Sequence, residues 1–169
     1  MKSNNKIGSF VVLTRKNRSE VFLVLRSDFP VWEPQGGGIE KKETPKQCAI
    51  REAYEETGFK IKIERKIAEY INPKTKSIDS HVYEGKVISG TYKKEYPECE
   101  GRWFKVDKLP SKMTAIRRLM IVDALINKNI LIRSASLPLF SLQNVMLFLL
   151  MPIASIHYLL KNTWRRSKL

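Results

Sequence analysis

One segment constrains everything else in this chain: Thr44 to Thr57 is bounded as a helix at both ends and carries three glutamates on one side. Its residues are mostly strong helix formers, Pro45 stands in the first turn where its missing N–H costs nothing, and Gly58 follows as the stop. Residues advance about 100° each along such a helix, so Glu52, Glu55 and Glu56, at i, i+3 and i+4, share a face. Ile50, Tyr54 and Thr57 fall roughly opposite and are expected to face a core. Like charges one turn apart cost roughly 0.2–0.5 kcal/mol per pair, so a compensating cation is expected.

Magnesium suits that requirement, because it takes carboxylate oxygens, keeps several waters and is commonly shared with substrate phosphates. The expectation is a phosphoryl-transfer site in which the ion neutralises phosphate oxygens and activates a water. Arg51, beside Glu52, can orient a carboxylate or meet phosphate through its planar fork.

Ile7 to Arg15 and Val21 to Arg26 are rich in β-branched and aromatic residues and flank the polar Lys16-Asn17-Arg18-Ser19, which predicts a hairpin. A glycine-rich stretch, Gln35 to Gly38, precedes the helix. Phe59 to Tyr70 alternates apolar and charged residues, the period of a half-buried strand, with Lys60, Lys62, Arg65 and Lys66 on its wet face. Further strands are expected at Ser80 to Ser89 and Gly101 to Val106, and a second helix at Thr114 to Asn127. Mixed strands with two helices give an α+β or sandwich arrangement.

Read at full length, Gly37, Glu43, Arg51-Glu52, Ala53, Glu55-Glu56, Gly58 and Phe59 spell G-x5-E-x7-R-E-U-x-E-E-x-G-U, with seven fixed residues over 23 positions. This pattern resembles the Nudix box, and the flanks resemble the same family: Trp32 upstream, and Trp103-Phe104 ahead of Asp107-Lys108-Leu109-Pro110. The resemblance covers about Ile7 to Asn127. It implies an α/β/α sandwich around a mixed sheet, and a hydrolase cleaving a diphosphate linkage in a nucleoside diphosphate derivative with Mg²⁺, or Mn²⁺ in its place.

By the same resemblance Glu52, Glu55 and Glu56 are the expected metal ligands, joined by the Gly37 carbonyl, with Glu43 and Arg51 in support. The general base is expected from Glu52 or from a later loop glutamate, Glu98 or Glu100. Two positions depart from the family's habit: Gln35 stands where proline is frequent, and Lys42 where glycine is common before Glu43. Two other readings stay open, a nucleotide-binding sensor without turnover and a pyrophosphohydrolase directed at RNA.

The 31 Lys+Arg against 17 Asp+Glu give a formal charge of +14, which favours anionic partners: phosphates, nucleic acid or acidic lipid. Cys48 and Cys99 form no C-x-x-C pair, so no zinc cage or disulfide framework is indicated, and a cytoplasmic setting is expected. The N-terminus has only a four-residue apolar run, too short for a secretory signal.

Two regions are expected, a catalytic domain over residues 1–133 and an apolar tail with a basic end over residues 134–169. From Ser134 to Leu160 there is no charged residue. A helix over Leu137 to Leu160 would span about 36 Å against a bilayer core of about 30 Å, although Gln143, Asn144, Pro152 and His157 interrupt it. Attachment to the inner, anionic face of a membrane is the expectation, against a soluble helix docked on the domain.

Overall fold

The computed structural model describes residues 7–27, 29–97, 99–126 and 131–134. Eight strands and two helices follow in the order β1 (Gly8–Arg15), β2 (Glu20–Leu25), β3 (Trp32–Glu33), β4 (Gln35–Gly38), α1 (Pro45–Thr57), β5 (Lys60–Ile71), β6 (Ile78–Ser89), β7 (Glu100–Lys105), α2 (Ala115–Leu125) and β8 (Leu131–Ser134). The sheet order is β3-β2-β1-β6-β5-β8, with β4 also paired to β1 and β7 to β2. The β1–β6 and β5–β8 pairs are parallel and the others antiparallel, so the sheet is mixed as expected.

Strand β1 is buried on both faces, which is why its apolar run is continuous rather than alternating. Val11 and Leu13 join Phe22, Val24, Ala49, Ala53, Phe59 and Tyr83 in the layer beneath α1. Phe10 and Val12 point the other way, into a larger layer with Ile67, Tyr70, Val82, Met113, Met120 and Ile121 that α2 covers. Each large side chain buried in these layers contributes roughly 1.5–3 kcal/mol. Helices on both faces of one sheet make the expected α/β/α sandwich.

The glycine-rich stretch is strand as well as loop: Gly36 and Gly37 pair with Phe10 and Ser9. Only glycine fits at position 36, where an added Cβ would lie 2.4 Å from the Ser9 carbonyl oxygen and 2.3 Å from Cδ1 of Phe10. The hairpin between β1 and β2 is present, and its turn holds Lys16, Asn17 and Arg18 all in the left-handed region, with φ of 48°, 55° and 66°. Each such residue costs roughly 1–2 kcal/mol when it is not glycine, somewhat less for asparagine.

Strand β5 departs from strict alternation. Register shifts at Ile63/Arg65 and Lys66/Ala68 turn Arg65 inward, 23% exposed, where it meets Glu84 at 2.8 Å and the Ala124 carbonyl at 2.8 Å. Lys60 and Lys62 stay on the wet face, whereas Arg65 and Lys66 are half-buried in ion pairs.

Strand β8 runs through residues 133 and 134, where the sequence places the junction between domain and tail. The tail beyond Ser134 lies outside the described residues. Among the described residues no helix is long and apolar enough to cross a membrane.

Candidate active site

Helix α1 is fixed at both ends by its own sequence. The Thr44 hydroxyl accepts from the Gln47 N–H at 3.2 Å while the Gln47 side chain accepts from the Thr44 N–H at 2.9 Å, a reciprocal cap. Gly58 closes the helix at φ 72° and donates its N–H to the Tyr54 carbonyl. The Ser9 hydroxyl of β1 donates to the Pro45 carbonyl at 2.6 Å and ties the helix start to the sheet.

The face that packs is Cys48, Ala49, Ala53 and Thr57. Ile50 and Tyr54, expected toward the core, are 36% and 55% exposed. Small side chains let the helix lie close on β1 and β4, and this rotates the larger apolar pair outward. The same rotation draws Glu52 and Glu56, one turn apart, against the glycines of β4.

Glu52 sits on Gly37 so closely that a Cβ there would lie 2.3 Å from Glu52 Oε1. The carboxyl of Glu56 is buried, held on one side by the Gly36 backbone N–H, and among the described residues its Oε2 has no hydrogen-bond partner. Glu55, by contrast, is half exposed on the rim.

Arg51 organises this group. Its Nε and Nη2 donate to the two oxygens of Glu43 at 2.9 and 3.0 Å, and its Nη1 reaches Glu52 at 2.9 Å and Glu55 at 2.8 Å. Glu43 also accepts from the Glu40 N–H at 3.1 Å, which pins the loop before the helix. In that loop Lys42 adopts φ 68°, a left-handed conformation that explains why glycine is the natural residue there.

The electrostatics divide the glutamates by role. Hydrogen bonds from Arg51 hold Glu43 below the usual carboxylate range. Burial pushes Glu52 up, Arg51 opposes, and the charges of Glu55 and Glu95 reinforce the rise. Burial pushes Glu56 well above its ordinary value, helped by Glu33, Glu52 and Glu95 and resisted by the Gly36 N–H. Cys48, against the Gly37 carbonyl at 3.7 Å, is pushed to about 12 by burial and by Glu43 and Glu52, so it stays a thiol.

Two of these contributors escaped the sequence reading. Glu33 of β3 is buried beside Glu56 and bound by Arg26 at 2.9 Å and Arg117 of α2 at 3.0 Å. Glu95, in the β6–β7 connection, lies close enough to bear on both Glu52 and Glu56. Glu98 lies outside the described residues, and Glu100 is turned to Arg102 at 2.6 Å. Of the aromatics, Tyr92 and Trp103 pack on Phe22 and Phe104 packs on Trp32. His81 of β6 lies beside Glu69, paired across to β5.

Chemically, a buried carboxylate oxygen beside the partly buried Glu52 is a place that a proton or a hard cation can fill. Among the described residues no group of three or more His, Cys, Asp or Glu is gathered so as to hold a metal ion by itself. An ion shared with water and substrate phosphate would need only one or two carboxylates.

The family model for the NUDIX domain matches residues 5–124. A Bacillus subtilis protein with the provisional name 8-oxo-dGTP diphosphatase is 31% identical over 117 residues, covering 69% of this chain and 77% of the relative. Human diphosphoinositol polyphosphate phosphohydrolase 3-beta is 34% identical over 96 residues, 54% of this chain and 58% of the relative. Two solved structures share the fold. An ADP-ribose pyrophosphatase from Streptococcus suis has a TM-score of 0.60 at 19% identity, covering 78% of this chain and 99% of that one. A NUDIX hydrolase from Nitrosomonas europaea has 0.63 at 19% identity, covering 79% and 81%.

Proposed function

The chain belongs to the NUDIX domain family and is a hydrolase of pyrophosphate bonds, and from that premise we propose that it cleaves the diphosphate linkage of a nucleoside diphosphate derivative with Mg²⁺, Mn²⁺ serving as a substitute. The observation that carries this reading is the buried, unpartnered Oε2 of Glu56 next to Glu52 and Gly37.

Glu52, Glu56 and the Gly37 carbonyl would hold the ion, and Glu55 would complete the acidic face from the rim. When bound, the ion supplies charge neutralisation for the phosphate oxygens and lowers the pKa of a bound water. Arg51 keeps Glu52 and Glu55 in place, and Glu43 fixes Arg51. The proton from the attacking water passes to Glu52 or to a glutamate of the β6–β7 connection. Glu95 is the described residue there whose charge already reaches the site, and Glu98 belongs to the same connection.

The names of the relatives nominate 8-oxo-dGTP and ADP-ribose as the first substrates to try. Mg²⁺-dependent turnover of a panel including both, with NADH and dinucleoside polyphosphates, is expected to release a nucleoside monophosphate. Full inertness on the panel, or unchanged rates in Glu56→Gln, overturns the reading, and calorimetric binding without product formation replaces it with a sensor.

We further propose a cytoplasmic setting, from Cys48 and Cys99, which form no C-x-x-C pair, with residues 134–169 against an anionic membrane, from the uncharged run Ser134 to Leu160. Equal partition of full-length protein and a chain ending at Ser134 between membrane and soluble fractions overturns that placement.

A further inference from the structure

At the opposite end of β1 from the glycine loop, the hairpin turn overhangs a cavity of about 690 Å³, within the range of small-ligand sites. Its rim carries Arg15, Lys16, Arg18 and Lys86, and its inner wall includes Trp103 and Phe59. Ser9 pairs with Gly37, whereas the cavity opens at Thr14 and Arg15. Along β1 the two registers are about 16–20 Å apart, at about 3.3 Å per residue, while the cavity's Phe59 wall follows Glu56 by three residues, just past the end of α1.

The rim keeps an excess of positive charge. Glu20 serves both Arg15, at 2.6 Å, and Lys16, at 2.9 Å. The buried Glu84 serves both Arg18, at 2.7 Å, and Arg65, at 2.8 Å. Lys86 stands 3.6 Å from Glu64. Glu20 engages Arg15 through Nε, and the guanidinium lies 4.1 Å over the Trp103 ring, so it is already oriented across the cavity.

We propose that this cavity is a second anion site, built for a small organic phosphate, with the phosphate held by Arg15, Lys16 and Lys86 and the organic group beside Trp103. A concave pocket of this size favours a small molecule over an extended strand. Arg18 is already forked onto Glu84, whereas Arg15 commits Nε to Glu20 and turns the rest of a planar guanidinium toward the cavity, a geometry that suits phosphate. The half-buried Trp103, with Arg15 stacked on its ring, puts apolar surface beside the cationic edge.

The test is an NMR titration of the isotope-labelled full chain, without metal and in EDTA, with AMP and with inorganic pyrophosphate. Saturable shifts are expected at the Trp103 indole N–H and the Thr14 to Arg18 amides, with AMP binding tighter than pyrophosphate. Arg15→Gln/Lys86→Gln is expected to weaken AMP at least about tenfold, as charge-assisted contacts are lost. Lys86→Gln alone, which leaves both buried carboxylates paired, is expected to weaken it less, and Glu56→Gln is expected to bind as the natural chain does.

Shifts confined to Gly36–Gly38 and Glu52–Glu56 overturn the proposal, as do unaltered affinities in both rim variants. Equal binding of AMP and pyrophosphate removes the role given to the aromatic wall. An oligonucleotide binding far more tightly than AMP, with shifts spreading beyond the cavity, replaces the small phosphate with nucleic acid.

Discussion

Arg51 grips Glu43 through two parallel hydrogen bonds of 2.9 and 3.0 Å while its remaining nitrogen holds Glu52 and Glu55. Lysine offers a point charge and cannot make that fork. Arg51→Lys is therefore expected to weaken divalent-metal affinity by about 10–100-fold, the usual effect of losing a residue that orients ligands. Metal-dependence curves of the initial rate check this, and unchanged half-saturation shows that Arg51 does not position the carboxylates.

Glu56→Gln separates activity from stability. Turnover is expected to fall by more than about 100-fold, beyond the range for residues that only support ligands. In EDTA the same variant is expected to be more stable than the natural chain at neutral pH. Glu56 is raised above 4.5 in the folded protein, so its proton favours the fold. That contribution is complete below pH 4.5 and is lost as pH rises through the folded value, whereas glutamine has no charge to bury. Urea melts in EDTA should show the gain at pH 7 and its disappearance near pH 4.5.

Gly37→Ala places a methyl group 2.3 Å from Glu52 Oε1 and forces the carboxylate aside. Glu52 is the flexible end of a side chain, so the fold should survive with an unaltered circular dichroism spectrum. The displacement is expected to lower kcat/KM by about 10–100-fold, as misplacements near 1 Å do. Wild-type rates would show that Glu52 does not act from this position.

A pH effect is expected away from the site. His81 is held below the usual imidazole value by burial first and by the Lys66 charge second, with Glu69 opposing from 3.4 Å. Its contribution to stability is complete above pH 6.5 and is lost as pH falls through the folded value, because the unfolded chain takes up the proton first. His81→Asn should flatten the fall in unfolding free energy between pH 6.5 and 5. An unaltered slope assigns the acid sensitivity elsewhere.

What the sequence revealed follows the range of the forces involved. The ends of α1 were legible because proline and glycine act within one turn, and the box because its spacing is local. The packed face of α1 was not: which side goes down is decided by how closely Ala49 and Ala53 let it approach the sheet. Strand β4 read only as a glycine-rich stretch because glycine carries no strand preference, and its pairing to β1 is a tertiary fact. Arg65 read as wet because a bulge cannot be seen in a period-two pattern. Glu33 and Glu95 join the site from segments far apart in the chain, and no spacing rule announces them.

The parallel pairing of β1 with β6 joins Phe10 to Val82 at the centre of the sheet. During synthesis that bond row cannot form until the ribosome has released the chain well past residue 82, whereas β1, β4 and α1 are complete much earlier. The glycine loop and its glutamate helix are thus expected to spend that interval as a nascent unit whose floor is half built. Glu56 owes its raised affinity for a proton to burial and to the charges of Glu33, Glu52 and Glu95, and Glu95 follows β6, so that environment is complete only after the chain has passed residue 95.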